Sequence, residues 1–383
     1  MGFPLAITRN IWQHSKRADG QRVAWRGVAS CYVRSLIFLP AVFSQHFAPL
    51  PMTDAARSPT SLAWRLALTA VLLRLAYAAI VQAYTMFGLP QSLQMQEMQT
   101  EPQFLAPLLA HIAAAAAIAG LTTWGAMRRW LARNNTTAVD EPRKLFGTFI
   151  ALMLVYTLAV AAAMAFLHNA LMLFVMNNRD MLEAWSGVGV VGQFMALGLI
   201  VRVVTIVLEI IGLCIVVRIA AWTVQPAGPA GGPAYDRHHA AWITGLTVLI
   251  WQLSVSISLG GFLQMQSLSA GWTAYLLGYL ALPVILLALC ALLCRNLLPR
   301  AIGAARLGRA VAHGTLAFWL AQALGVGVGF LIVRTMTWDQ LIHAALSPMA
   351  PVVALVIYAA LLALGCLIGR LLFYPRATAP SEG

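Results

Sequence analysis

Glu209 is the only acidic side chain well inside an apolar run of this 383-residue chain. A charge near the centre of a bilayer costs at least ~2.5 to 3.5 kcal/mol on the mildest insertion scale, so such a residue must pair, line a hydrated path or bind something. Arg202 stands seven residues earlier in the same run. That spacing places it on roughly the same helical face but about 10 Å away along the axis, too far for a direct bridge within one helix. Arg74, near the middle of the first apolar run, is the candidate to meet Glu209 across a bundle. Two chemistries fit the trio: a polar site or proton-coupled pathway, or a structural ion pair that fixes helix register.

Gln252, Ser254 and Ser258 form a second polar group; the serines share a face beside Gly261, with Gln264 nearby. They could line a substrate or ion path, or their hydroxyls could bond back to carbonyls one turn earlier. His111 and His168 lie toward the outer ends of neighbouring runs. They are the candidates for haem or a metal, although no fixed short spacing defines a ligand set and interfacial histidine is the alternative. Cys290 and Cys294, one turn apart, suit either a soft metal or core packing. Gly325-x-x-x-Gly329 and Gly365-x-x-x-Gly369 place small residues on one face of two runs, which permits close backbone approach. The chain has no Walker loop, dinucleotide fingerprint, H-E-x-x-H or nucleophile elbow, so no catalytic residue and no cofactor is expected.

The elements that carry these residues follow from composition. Hydrophobic residues make up 61% of the chain and charged residues 10%, with a mean hydropathy of +0.79, which excludes an ordinary soluble domain. Eight apolar stretches are long enough to span: Leu62 to Gly88, Phe104 to Met127, Leu145 to Leu167, Gly187 to Trp222, Ala240 to Met265, Gly271 to Cys294, Val311 to Ile332 and Pro348 to Gly369. Hydrocarbon offers no water to backbone amides and the alternation of barrel strands is missing, so all eight are expected to be helical. The fold class is an all-α polytopic membrane bundle. No loop between spans is long enough to make a separate core.

Charge gives the expected orientation. Of 25 lysines and arginines, twenty fall on one side, in 1–61, 128–144, 218–239, 295–312 and 370–383, and two, Arg179 and Arg334, on the other. The rich side is therefore expected to be cytoplasmic, with both termini there. A pI near 10.2 could suggest nucleic acid, but charge divided among five segments argues against it; the expected partners are the lipid bilayer and a protein subunit or second copy. Two lysines beside twenty-three arginines, with abundant alanine, fit a GC-rich bacterial genome and an inner-membrane location. Four of the five cysteines sit in apolar runs, so they do not form a secreted disulfide framework.

Residues 1–61 read as a basic cytoplasmic segment, and Met52 opens a stretch resembling a polar N-terminus, making it a candidate start. Spans one to four occupy 62–222, a Gly/Pro-rich linker containing AGPAGGPA occupies 223–239, spans five to eight occupy 240–369, and a cytoplasmic tail follows. The halves resemble each other: Ala63-Trp64 and Leu68-Thr69 match Ala241-Trp242 and Leu246-Thr247, and Cys214-x-x-x-Arg218 matches Cys366-x-x-x-Arg370. A four-helix repeat keeps its orientation, so the repeats would be parallel; chance similarity among apolar helices is the alternative. The fourth run would make a helix of roughly 54 Å against a ~30 Å core. Its glycines at 187, 189, 192 and 198 therefore suggest a separate or re-entrant piece, with a tilted or protruding helix as the alternative. The leading functional expectation is a permease-like or transport-associated protein. A non-catalytic subunit or assembly factor comes second, and a membrane-embedded enzyme or haem protein third.

Overall fold

The computed structural model describes residues 61–85, 101–178, 180–181, 190–228, 237–266, 277–299, 307–347 and 349–374, all within one compact unit, Pro59–Gly383. The expectations for 1–60, for Gly187 and Gly189, for most of the AGPAGGPA linker and for the tail beyond Tyr374 lie outside these residues. The described helices are α1 (Ser61–Ala83), α2 (Pro102–Arg133), α3 (Pro142–Asn177), α4 (Val190–Trp222), α5 (Arg237–Gln266), α6 (Leu282–Leu297), α7 (Leu307–Thr335), the short α8 (Trp338–Leu346) and α9 (Ala350–Phe373). Eight of them, all but α8 and with α6 counted from Gly278, are long and apolar enough to cross a membrane. The chain is an all-α polytopic bundle.

Local sequence sets several helix starts. Proline occupies the first or second position of α2, α3, α6 and α9, where its missing N–H costs nothing and its fixed φ suits the first turn. A π-helical turn, Leu277–Ala281, leads into α6. Between α7 and α9 the chain forms α8, started by a capping box in which Thr337 and Gln340 satisfy each other's backbone amides. Trp338 at its start is 74% exposed, a posture suited to the interfacial zone of a bilayer.

Packing is uneven across the spans. Within its apolar window α5 is 61% buried, whereas α3 is 11% buried, so α5 is the hub and α3 a peripheral helix whose Leu154, Val155, Leu158 and Phe166 face outward. In the first half α1 packs on α2, α2 on α4, α3 on α4 and α1 on α3; in the second, α5 packs on α6, α6 on α9, α7 on α9 and α5 on α7. These are the same four pairings in the same order. The Ala-Trp pairs also share a phase: Ala63 and Ala241 are buried while Trp64 and Trp242 face outward. The halves meet where α2 and α4 pack on α5.

Two loops expected on the same side are joined. Ala138–Val139 (β1) pairs antiparallel with Pro226–Ala227 (β2), Thr136 Oγ1 donates to the Ala227 carbonyl, and Asp140 Oδ1 accepts from the Gln225 amide at 2.9 Å. Gly228 closes the ladder at φ +97°, a conformation glycine adopts without a Cβ penalty. Because these loops are separated by two spans, their pairing independently supports the alternation read from charge.

Of the two readings left open for the fourth span, the described residues take the continuous helix. From Val190 onward the helix is continuous for 33 residues, with Gly192 and Gly198 inside it, about 50 Å at the standard rise. No proline interrupts it, and isolated glycines cost only about 1 kcal/mol each in a helix interior, too little to break a helix this apolar.

Candidate functional site

The charged trio is assembled from α1 and α4, with contributions from α2, α3 and α5. Arg74 Nη2 donates to Glu209 Oε1 at 2.5 Å, with the side chains 11% and 6% exposed. Both residues lie near the middle of their spans, so the pair sits at mid-depth. Tyr156 of α3 flanks it: the Arg74 guanidinium is 5.9 Å from the ring centroid, and the tyrosine hydroxyl lies 3.4 Å from the carbonyls of Leu208 and Glu209. Gly212, one turn beyond Glu209, makes this possible, since a Cβ there would fall 2.2 Å from Tyr156 Cε2. Charge, aromatic face and hydroxyl thus converge on one turn of α4.

Arg202 is not part of that pair. It is 7% exposed, and its Nε donates to Ser254 Oγ on α5 while Nη1 meets His111 Nδ1 on α2, each at 3.4 Å. A guanidinium can only donate, so Nδ1 accepts and the His111 ring carries its proton on Nε2. Arg202 Nη2 has no hydrogen-bond partner among the described residues. The Ser254 contact crosses from the first half to the second, placing Arg202 at their junction. Its bonds are long and go to uncharged acceptors, whereas the Arg74–Glu209 bond is short and joins two opposite charges.

The other sequence candidates separate. Ser254 and Ser258 do bond back to the carbonyls of Ile250 and Ser254, at 2.7 and 2.9 Å, and Ser254 additionally accepts from Arg202. Gln252 instead joins a second network: Gln322 Nε2 donates to the Tyr358 hydroxyl at 2.7 Å, which donates to Gln252 Oε1 at 3.3 Å, while Gln252 Nε2 donates to Ser256 at 3.3 Å. This network joins α5, α7 and α9 without charge. Gln322 and Tyr358 carry no sequence signal beyond polarity within an apolar run. His168 is exposed on α3, while His111 is engaged by a cation, an environment hostile to a metal.

The two glycine motifs also differ. A Cβ on Gly365 would lie 2.6 Å from the Ala317 carbonyl oxygen and 2.9 Å from its Cα, a backbone-to-backbone approach. Gly369 makes room for the His313 ring. A Cβ on Gly325 would meet Leu361 Cδ1 at 3.9 Å, and one on Gly329 would meet nothing within 4 Å. Of the four motif glycines, Gly365 and Gly369 are those at which a Cβ would be crowded, whereas at Gly325 and Gly329 it would find room among the described residues.

A groove of ≈ 230 Å³ lies between α5 and α6, lined by His238, Ala241, Trp242, Ala288, Ala291, Leu292 and Arg295. It touches none of Arg74, Arg202 or Glu209, so the open surface and the buried charge are distinct features.

Searches against family profiles, curated proteins and solved structures give no match. Function must therefore be argued from the side chains. As chemistry, the group built on α1 and α4 contains two cations and one anion among the described residues. Glu209 bonds to Arg74 and also attracts Arg202, so one carboxylate serves two guanidiniums and one positive charge remains in a low-dielectric setting, with Arg202 Nη2 a spare donor among the described residues.

Proposed function

We propose that the chain is a permease-like protein of a bacterial inner membrane, in which a small anion, or the anionic group of a larger solute, is accepted between the two four-helix halves by Arg202. The carrying observation is that buried guanidinium, held only by 3.4 Å contacts to Ser254 and His111 and with Nη2 unpartnered among the described residues. Arg202 shares the single carboxylate of Glu209 with Arg74, so the buried group carries an excess positive charge whose cost a bound anion relieves. Parallel halves meeting at a polar site match a common transporter plan. Arg74 and Glu209 act differently in this reading: their closed pair fixes the register of α1 against α4, the role a structural ion pair performs.

The test is flux from proteoliposomes loaded in turn with chloride, acetate and phosphate. Wild-type protein is expected to release at least one of these faster than empty vesicles, and R202Q to lose that release while remaining folded. Equal release by wild type and R202Q, or none by wild type for all three, would count against the reading.

A further inference from the structure

Cys290 and Cys294 stand one turn apart on α6, and Cys366 meets them from α9. All three are buried, their Sγ atoms lie within 4.8 Å of one another, and Cys290 Sγ is 3.6 Å from Cys366 Sγ. Cysteines serving as small hydrophobes need only touch the core; here three sulfurs from two helices turn toward one point. A metal held by three sulfurs in a plane, with bonds of about 2.3 Å, would set those sulfurs roughly 4.0 Å apart, inside the observed range.

The surroundings support such a centre. His313 of α7 is fully buried; because a carbonyl can only accept, its Nε2 donates to the Cys366 carbonyl at 2.9 Å. Gly369 provides the room, since a Cβ there would fall 2.1 Å from His313 Cδ2. The Tyr374 ring packs on the imidazole at 5.8 Å between centroids. The backbone that carries Cys366 is thus braced from behind, the arrangement by which outer residues orient metal ligands. Arg295 follows Cys294 directly and Arg370 lies one turn beyond Cys366, so the cluster sits near the arginine-rich end of the bundle. If that end is cytoplasmic, as charge predicts, it faces a reducing compartment that keeps thiols free.

We propose that Cys290, Cys294 and Cys366 form a trigonal thiolate site for Cu(I), with His313 as a positioning residue. Thiolate sulfur selects soft ions such as Cu(I). Structural Zn(II) takes four ligands, whereas the described cluster offers three. One proton leaves for each thiolate that forms on binding, and copper enters as Cu(I), so no electron is transferred. The site lies within the second half, apart from Arg202, and stands or falls independently of the anion reading.

The test uses full-length protein in detergent with Cys31 and Cys214 replaced by serine, supplied anaerobically with Cu(I) against the chelator bathocuproine disulfonate. Expected is retention of one Cu(I) per chain, with ultraviolet thiolate-to-copper absorption and a sulfur-only first shell by X-ray absorption. C290S, C294S and C366S each surrender the metal to the chelator. H313Q weakens binding about 10- to 100-fold while keeping the sulfur-only shell. In case a serine variant fails to fold, the intact cluster is also treated with methyl methanethiosulfonate, and Cu(I) is expected to protect all three thiols. Copper retained by C366S, unchanged methylthiolation in the presence of Cu(I), or uptake of Zn(II) in place of Cu(I) would overturn the assignment.

Discussion

The two halves of the bundle use the same helix pairings and bury opposite kinds of polarity. The first half holds Arg74, Arg202 and Glu209; at the equivalent depth the second holds the neutral Gln322–Tyr358–Gln252 network and, nearer the arginine-rich end, three thiols. Helix pairing therefore does not dictate which chemistry is buried. Charge in the first half comes with strict requirements, because each ion needs a partner or carries a desolvation cost. Neutral amides and hydroxyls in the second half can be lost singly at modest cost. Under the proposed function the split also separates tasks: a closed ion pair for register, an open cation for binding, and a neutral network for holding α5, α7 and α9 together.

The largest expected effect comes from breaking the pair on one side. E209L leaves the Arg74 guanidinium buried and uncompensated and is expected to destabilise the protein by about 3 to 5 kcal/mol, read as lost cooperative thermal unfolding in detergent. The double variant R74L/E209L is expected to recover most of that loss, since replacing both ions with apolar groups is often neutral or better. Failure of the double variant to recover would mean that the charges do more than fix register.

Next in size is the contrast between the glycine motifs. G365V drives a side chain into the Ala317 backbone and is expected to cost about 1 to 3 kcal/mol, whereas G329A, in open space, should remain within about 0.5 kcal/mol of wild type. Equal effects at the two positions would contradict the packing described for α7 and α9.

The smallest effect is expected in the neutral network. Y358F removes the hydroxyl that links Gln322 to Gln252 and should cost about 0.6 kcal/mol and no more than roughly 1.7, the range found for hydrogen bonds between membrane helices. A loss as large as that of E209L would erase the distinction between the halves.

Much of the fold was legible because hydropathy and charge are strong signals in a membrane chain. Eight spans followed from length and composition, and the alternation of arginine-rich loops agrees with the β1–β2 tie. Arg74 as the partner of Glu209 was also legible, since an isolated acid at mid-depth requires a cation and few are within reach. Other features depend on rotation and tilt, which apolar sequence leaves nearly unconstrained. Nothing in the order of residues brings Cys366 to Cys290, or separates the tight Gly365 from the open Gly329. His111 read as a metal candidate because its own run gives no hint that Arg202 would reach it from α4. The fourth span stayed open between a broken and a continuous helix because glycine is a good breaker in water but a weak one in a long helix of strongly apolar residues.

The most direct test of the division between a structural pair and an open cation is anion-dependent thermal stability of two variants measured side by side. With chloride, acetate and phosphate each added to protein in detergent at constant ionic strength, wild type and R74L/E209L are expected to be stabilised by the same anion, and R202L to be folded but unresponsive. A response lost in R74L/E209L and kept in R202L would contradict the account, because the functional charge would then lie in the pair.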